Sequence, residues 1–144
     1  MRYPILFSIL LLLSTSCNKN KFATTPSLKF KSVNTTQLYN QQLLQFTLSF
    51  TDKEGDLTDS IYVNENVPGC PGSNFEQLFP LPAFPTSKNQ QGDITVTFGY
   101  NVSGYSSISP KCQKNDTAVF RFVLRDKAHN ASDTISSPPV ILYY

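Results

Sequence analysis

The sequence predicts an all-β protein, specifically a two-sheet antiparallel β-sandwich of immunoglobulin-like architecture with about seven strands. In four segments apolar residues recur at every second position, which is the pattern of strands with one buried face. No window carries a helical stripe of apolar residues, and ten prolines and six glycines punctuate the chain. Short strands separated by turns favour a sandwich, and a small Greek-key barrel is the alternative.

The predicted strands follow one another with long loops between them. Their alternating apolar positions are Leu28 and Phe30; Leu44, Phe46, Leu48 and Phe50; Ile94, Val96, Phe98 and Tyr100; and Ala118, Phe120, Phe122 and Leu124. The positions between them are polar or small, and Thr, Val, Phe and Tyr suit a pleated surface. Two further strands are predicted at residues 60–63 and 140–143.

Residues 64–92 form the longest stretch without a strand pattern. An ordered connection of this length in a compact domain usually has its own packing or a function. Its apolar residues either cap one open end of the sandwich or form an exposed aromatic ledge that docks a protein or glycan. These residues are Phe75, Leu78, Phe79, Leu81 and Phe84.

An apolar segment at the start of the chain predicts export. Arg2 precedes an apolar run of roughly ten residues, which suits an export signal and is about half the length of a membrane-spanning helix. The run leads through Ser14-Thr15-Ser16 to Cys17. It resembles the bacterial lipoprotein signal, in which the leader is cut before a cysteine that carries diacylglycerol on its thiol. The resemblance implies a signal peptide over 1–16, an acylated Cys17 with a tether over 17–27, and a single domain over 28–144.

These expectations place the protein in the cell envelope, anchored by its lipid to a membrane, which we expect to be the outer membrane. The residues after Cys17 are Asn18-Lys19-Asn20-Lys21. They lack the acidic run that resembles a surface-export signal, so a position facing the periplasm is favoured.

Net charge argues against one class of partner, and the expected compartment predicts the state of two cysteines. The whole chain has a formal net charge of +2, which offers no basic field for nucleic acid. Of the three cysteines, only Cys70 and Cys112 remain if Cys17 is acylated. In an oxidising compartment we expect these two to form a disulfide as a loop staple, closing a loop of about 43 residues.

Acidic residues in and beyond one turn are candidate calcium ligands. Asp52, Glu54 and Asp56 alternate around Gly55, directly after a predicted strand. Calcium takes six to eight oxygen ligands, so this turn would need help from elsewhere, for example from Asp126 after the strand that ends near residue 125. The alternative is a polar turn in which Asp and Gly occur for backbone reasons alone.

Two segments resemble small uncharacterised lipoproteins of Bacteroidota-type bacteria with an immunoglobulin-like domain. Residues 46–57 resemble the strand and acidic turn of these proteins, and residues 123–132 are similar to the Asp-x-Ala-Gly-Asn-x-Ser hairpin of bacterial immunoglobulin-like domains. Here His129 replaces the glycine, and histidine accepts a positive φ more readily than most residues. The resemblance implies an envelope accessory or cell-surface protein.

The sequence offers little for catalysis. His129 is its single histidine, so a histidine-based zinc site or a Ser-His-Asp triad would depend on one turn residue. No Gly-x-Ser-x-Gly elbow, phosphate-binding glycine loop or Cys-x-x-Cys pair is present. We therefore expect no enzyme, with an envelope hydrolase based on paired carboxylates as an alternative.

Three Asp-Ser/Thr-aliphatic tripeptides resemble the O-glycosylation acceptor of Bacteroides-like bacteria. Their hydroxyl residues are Ser60, Thr117 and Thr134. Each also reads as an ordinary transition from a turn to a strand.

The favoured function is a lipid-anchored, non-catalytic envelope module that presents loops to an unidentified envelope protein or glycan. A calcium-stabilised adhesion or surface-binding domain is the alternative, and it is distinguished by convergence of Asp126 on the acidic turn. No cofactor is expected, except for calcium under this alternative.

Overall fold

A computed structural model describes residues 24–57, 60–72, 75–85 and 87–144. These residues form ten strands and no helix, which confirms the prediction of an all-β chain. The described part of the chain accordingly contains no helix that could cross a membrane. The predicted signal peptide, Cys17 and the tether up to residue 23 lie outside the described residues.

The strands are numbered in chain order. They are β1 Ser27–Val33, β2 Gln37–Leu38, β3 Leu43–Asp52, β4 Ser60–Asn66, β5 Phe75–Pro80, β6 Gln90–Gly99, β7 Ser106–Ser107, β8 Asp116–Arg125, β9 Ile135–Ser136 and β10 Val140–Leu142.

Two sheets face each other. One has the order β1-β3-β6-β7, and the other has the order β2-β10-β8-β4-β5, with β9 pairing β8. The first contains the counterparts of immunoglobulin strands A, B and E, and the second contains those of G, F and C. The prediction of purely antiparallel sheets needs a correction, because β2 pairs β10 in parallel and β7 pairs β6 in parallel.

The core lies between the sheets and follows from the period-two pattern. Strand β3 alternates between partly and fully buried residues along its whole length, because one face meets the opposite sheet. At the centre the ring of Phe46 lies 4.8 Å from that of Phe120 and 5.2 Å from that of Phe122, which belong to the second sheet. These contacts join the two layers.

The region expected to be irregular is more regular than predicted. Strand β4 continues to Asn66, β5 occupies Phe75–Pro80, and β6 begins at Gln90. The predicted capping residues other than Leu78 pack against the core, while the Leu78 side chain is 52% exposed. The aromatic residues of this region therefore serve mainly as packing.

The sandwich has two ends that face in opposite directions. Strand β8 has ten residues and spans roughly 30 Å, with Asp116 at one end and Arg125 at the other. Ser27, the first residue of β1, pairs with Thr51 near the last residue of β3. The chain therefore enters the sandwich at the end where β3 and β8 finish.

Candidate functional site

Three aspartates converge at the end of the sandwich where the chain enters. Asp52 is the last residue of β3, Asp56 lies in the following turn, and Asp126 comes directly after β8. One carboxylate oxygen from each lies within 4.8 Å of the other two. We call these three residues the aspartate cluster. Glu54, the fourth predicted ligand, is exposed and does not belong to it.

The turn after β3 holds two of these carboxylates together. Asp52 Oδ2 accepts hydrogen bonds from the backbone N–H groups of Gly55 at 2.6 Å and Asp56 at 3.3 Å. Gly55 has a φ of 72°, and a Cβ at this position would lie 1.9 Å from the carbonyl oxygen of Ser87. Only glycine fits there, so the turn is fixed by both backbone conformation and packing.

The loop after β8 presents the third carboxylate. Asn130 donates to Asp126 through its backbone N–H, at 2.7 Å from Oδ1, and through its side-chain amide, at 2.8 Å from Oδ2. His129 has a φ of 64°, so it takes the left-handed conformation expected of a glycine substitute. The backbone N–H of Lys127 donates to the carbonyl oxygen of Asp56 at 3.2 Å, which ties the two loops together.

The cluster carries negative charge that its surroundings do not balance. Asp52 and Asp126 are fully buried, and the Oδ1 atoms of Asp52 and Asp56 are buried without a hydrogen-bond donor. Burial raises the pKa of Asp52 above its usual value, and the charges of Asp56 and Asp126 raise it further, against the hydrogen bonds from the turn. No ion pair between the cluster and a lysine or arginine occurs among the described residues. A proton or a bound cation would relieve this repulsion.

The ligand chemistry of the cluster suits a hard cation. It offers carboxylate oxygens, the ligand type that calcium, magnesium and manganese prefer. Three side chains do not complete a calcium shell of six to eight oxygens, and Asp56 is only half-buried, so solvent can supply the remainder.

A second buried carboxylate, which the sequence analysis missed, lies towards the other end of the sandwich. Glu65 is fully buried, neither of its oxygens has a hydrogen-bond partner, and Lys111 Nζ lies 3.6 Å from Oε2. Burial raises the pKa of Glu65 to about 7, with Lys111 opposing the rise and Asp116 adding to it. Alternation along β4 could have revealed it, because Glu65 falls on the same face as Ile61 and Val63.

We expect Glu65→Gln to reduce the pH dependence of stability. Because the folded pKa of about 7 exceeds the ordinary value of 4.5, the stabilisation from Glu65 is complete below pH 4.5 and is lost as the pH rises through 7. By linkage the wild-type protein should lose roughly 3 kcal/mol from this group between pH 4 and pH 8. Urea unfolding at both pH values measures the loss, which the variant should avoid.

The exposed Glu54→Gln change is the matched control, because it removes a carboxylate without touching the buried one. If the free energies of unfolding of wild type and Glu65→Gln change in parallel from pH 4 to pH 8, the burial of Glu65 does not cause the pH dependence of stability.

The predicted disulfide joins Cys70 and Cys112, with their Cα atoms 5.9 Å apart. Both residues lie in loops, as expected of a loop staple. Asp116, at the start of β8, accepts hydrogen bonds from the backbone N–H groups of Lys111 and Cys112. The disulfide and Asp116 together hold Lys111 near Glu65.

The three candidate O-glycosylation residues differ in accessibility. Thr117 and Thr134 are exposed, whereas Ser60 is 7% exposed at the start of β4. A transferase could reach Ser60 only before the domain folds.

Four surface grooves lined by described residues contain at most one carboxylate each. Three of the grooves are lined by a single carboxylate each, which is Glu76, Asp116 or Asp133, and the fourth groove has none. The carboxylate pair of the hydrolase alternative stays a prediction.

Comparisons with known proteins add little to this geometry. No protein-family model and no curated protein matches the chain. Among solved structures, the chain is similar to the sporulation control protein Spo0M from Bacillus subtilis, with 8% sequence identity and a TM-score of 0.46. The match covers 85% of this chain and 51% of Spo0M, so the chain spans about half the length of that protein. A likeness this weak supports no inference about function.

Proposed function

We propose that this protein is a lipid-anchored, non-catalytic interaction domain of the bacterial cell envelope, and that it binds calcium at the aspartate cluster. The cation joins the turn after β3 to the loop after β8, and so stabilises the end of the sandwich at which the chain enters.

The observation that supports the calcium site is the convergence of three carboxylates, of which two contain a buried oxygen without a hydrogen-bond donor. A solvated polar turn, the alternative from the sequence, would leave these oxygens in contact with water. Buried charges need a partner, because loss of hydration disfavours the charged form.

Calcium is the most suitable of the hard cations for this site. The cluster combines two sequence-distant loops in an irregular arrangement, and calcium tolerates irregular geometry while magnesium requires near-ideal octahedral coordination. Extracellular calcium modules bind with dissociation constants of about 10⁻⁴ to 10⁻³ M, an affinity that a site of three carboxylates and water can provide.

The anchor in this proposal is an acylated Cys17. Because β1 begins near the last residue of β3, a tether from Cys17 would join the sandwich at the end that holds the aspartate cluster. The opposite end would then point away from the membrane and be free to meet a partner.

Calcium at 10 mM, ten to a hundred times the dissociation constants above, should raise the melting temperature of the wild-type protein by roughly 5–10 °C. Asp56→Asn should at least halve this shift, because it removes one charged ligand. Asp93→Asn removes an exposed carboxylate that pairs with Lys31, and it should leave the shift unchanged. Differential scanning calorimetry at 0 and 10 mM calcium measures all three proteins.

The pH of the measurement gives an independent check. Folding raises the pKa of Asp52 above its ordinary value of 3.8, so protonated Asp52 stabilises the folded protein below pH 3.8, and this stabilisation is lost as the pH rises through the raised pKa. A proton on Asp52 competes with calcium for the same carboxylate. Calcium should therefore raise the melting temperature more at pH 7 than at pH 4. An equal melting temperature with and without 10 mM calcium at pH 7 would refute the calcium site.

Cys17→Ser should move the protein from the membrane fraction to the soluble fraction, because two or more acyl chains hold a protein firmly on a bilayer. Fractionation of the native host and incorporation of labelled fatty acid measure the change. Asp93→Asn serves again as a control, because it should remain in the membrane fraction. A wild-type chain that takes up no label would overturn the anchor while leaving the calcium site open to its own test.

A further inference from the structure

One end of the sandwich exposes tyrosines. Apart from Leu78, the large hydrophobic side chains exposed among the described residues are Tyr39, Tyr105 and Tyr144, at 45%, 46% and 73%. They belong to three segments, 34–43, 100–109 and 140–144, which we call the tyrosine end. This end lies opposite the aspartate cluster, because β3 starts here at Leu43 and finishes at Asp52.

Backbone hydrogen bonds connect the three segments. The N–H of Gln41 donates to the carbonyl oxygen of Tyr100 at 2.8 Å, and that of Tyr100 donates to the carbonyl oxygen of Gln42 at 3.0 Å. The N–H of Tyr143 donates to the carbonyl oxygen of Leu38 at 2.9 Å. The tyrosine end is therefore a continuous surface built on the ends of both sheets.

The three segments of the tyrosine end contribute no acidic or basic side chain to this surface. The three segments contain no Asp, Glu, Lys, Arg or His, although the whole chain has twelve Lys and Arg and ten Asp and Glu. Tyr, Asn, Gln, Ser and Thr provide most of its polar groups. A ligand that matches it should be uncharged and rich in hydrogen-bonding groups.

A preformed aromatic platform lies within this surface. The rings of Tyr39 and Tyr143 are stacked, with centroids 4.4 Å apart and planes 8° apart. The Tyr39 hydroxyl donates to Gln37 Oε1 at 3.4 Å, and its backbone N–H donates to Gln42 Oε1 at 3.1 Å. The Tyr39 ring is thus held in place before any ligand arrives, which lowers the entropic cost of binding.

A shallow groove of about 580 Å³ runs beside this platform. Its lining residues are Asn34, Thr35, Thr36, Gln37, Tyr39, Gln42 and Leu43. The volume falls within the usual range of ligand sites, and side-chain amides and hydroxyls both donate and accept hydrogen bonds.

We propose that this groove binds a neutral oligosaccharide, with one sugar ring on the exposed part of Tyr39 and its hydroxyl groups hydrogen-bonded to the Gln37 and threonine side chains. A sugar ring has an apolar C–H face and a rim of hydroxyls, which matches an aromatic face beside uncharged donors and acceptors. The proposal names the chemical class of partner that the interaction domain would bind, and it therefore rests on the function proposed above.

The groove fits a protein partner less well. A stable protein interface buries about 800 Å² on each side around a largely apolar centre. Here the groove contains only Tyr39 and Leu43 as large apolar residues among amides and hydroxyls. A second copy of this chain and an unrelated protein are outcomes that the experiment must distinguish.

Isothermal titration calorimetry of the full chain in a non-glycosidic detergent tests the proposal. The probes are neutral hexasaccharides of β1,4-glucan, β1,3-glucan, β1,4-xylan, β1,4-mannan and α1,4-glucan, with a hexagalacturonate as the charged control. We expect binding of at least one neutral probe and at least tenfold weaker binding of the charged one. Tyr39→Ala should weaken binding by about tenfold through loss of the apolar ring face, while Tyr39→Phe should stay within about threefold.

Two further variants guard against an effect of misfolding. Gln37→Ala, in the exposed part of β2, should weaken binding several-fold without lowering the melting temperature, and Leu78→Ala, on the distant edge strand, should bind as the wild type does. The melting temperature of each variant without calcium reports an intact fold, which keeps this test separate from that of the calcium site.

The proposal is overturned if no neutral probe binds at 10 mM, if Tyr39→Ala binds as the wild type does, or if the charged probe binds as tightly as the neutral ones. Sedimentation velocity gives one more decisive outcome. Self-association of the wild type that Tyr39→Ala abolishes would assign the tyrosine end to an interface between two copies instead.

Discussion

Replacing both Cys70 and Cys112 by alanine is expected to lower the free energy of unfolding by about 4 kcal/mol, the value that the chain-entropy model gives for a closed loop of this length. The disulfide joins residues 42 positions apart, so its loss frees a large part of the unfolded chain. Urea unfolding under non-reducing conditions measures the effect. Reduction of the wild type should lower its stability to that of the variant.

This substitution should also act locally. The disulfide fixes the loop that carries Lys111 beside the buried Glu65, so its loss should leave the carboxylate with a weaker partner. The variant should consequently lose stability more steeply than the wild type as the pH rises through 7. Two free thiols in protein isolated from its native compartment, detected by mass mapping of non-reduced peptides, would contradict the pairing in the cell.

Phe98→Ala is expected to cost 3–5 kcal/mol, the usual range for removal of a fully buried phenylalanine. Phe98 is completely buried, and its ring lies 5.6 Å from that of Phe120 in the opposite sheet. It also lies 5.8 Å from the rings of Phe75 and Phe79, which hold edge strand β5 on the core. The cavity would therefore weaken both the contact between sheets and the attachment of β5.

Chemical unfolding measures the global loss in Phe98→Ala, and amide hydrogen exchange should show the largest local increase in β5. Phe84→Ala is the matched control, because Phe84 is only partly buried and its ring contacts that of Phe50 at 5.8 Å. It should lose less than half as much stability. A loss below about 1 kcal/mol for Phe98→Ala would show that the neighbouring rings fill the space, against the cost expected of a rigid core.

The long strands could be predicted because one face of each is buried. Strands β3 and β8 alternate strictly over ten residues, and a one-residue error would turn every apolar side chain to solvent. Strand β5 was missed because Pro80 and the following prolines read as loop, and its edge position leaves Gln77 and Leu78 exposed. Two-residue strands such as β2 are too short for any period to appear.

In the candidate sites too, residues that are close in sequence were easier to place than residues that the fold brings together from distant segments. Asp52 and Asp56 are four residues apart, and Asp126 was placed near them by the reasoning that it directly follows a strand. The stacking of Tyr39 on Tyr143 depends on the parallel pairing of β2 with β10, which no local pattern reveals. Glu54 shares the spacing of its neighbours, but spacing alone does not tell which way a turn residue points.

The position of β10 bears on when the protein can fold. Among the described strands β10 is the last in sequence, yet it lies inside its sheet, between β2 and β8. While residues 140–142 are still on the ribosome or inside an export channel, β2 has no partner in the sheet and β8 lacks one of its neighbours. Pairings between such distant segments form slowly because the loop between them must close first. Topology would therefore delay completion of the sandwich until residues 140–142 have emerged, a delay that would suit the export predicted from the N-terminal apolar segment.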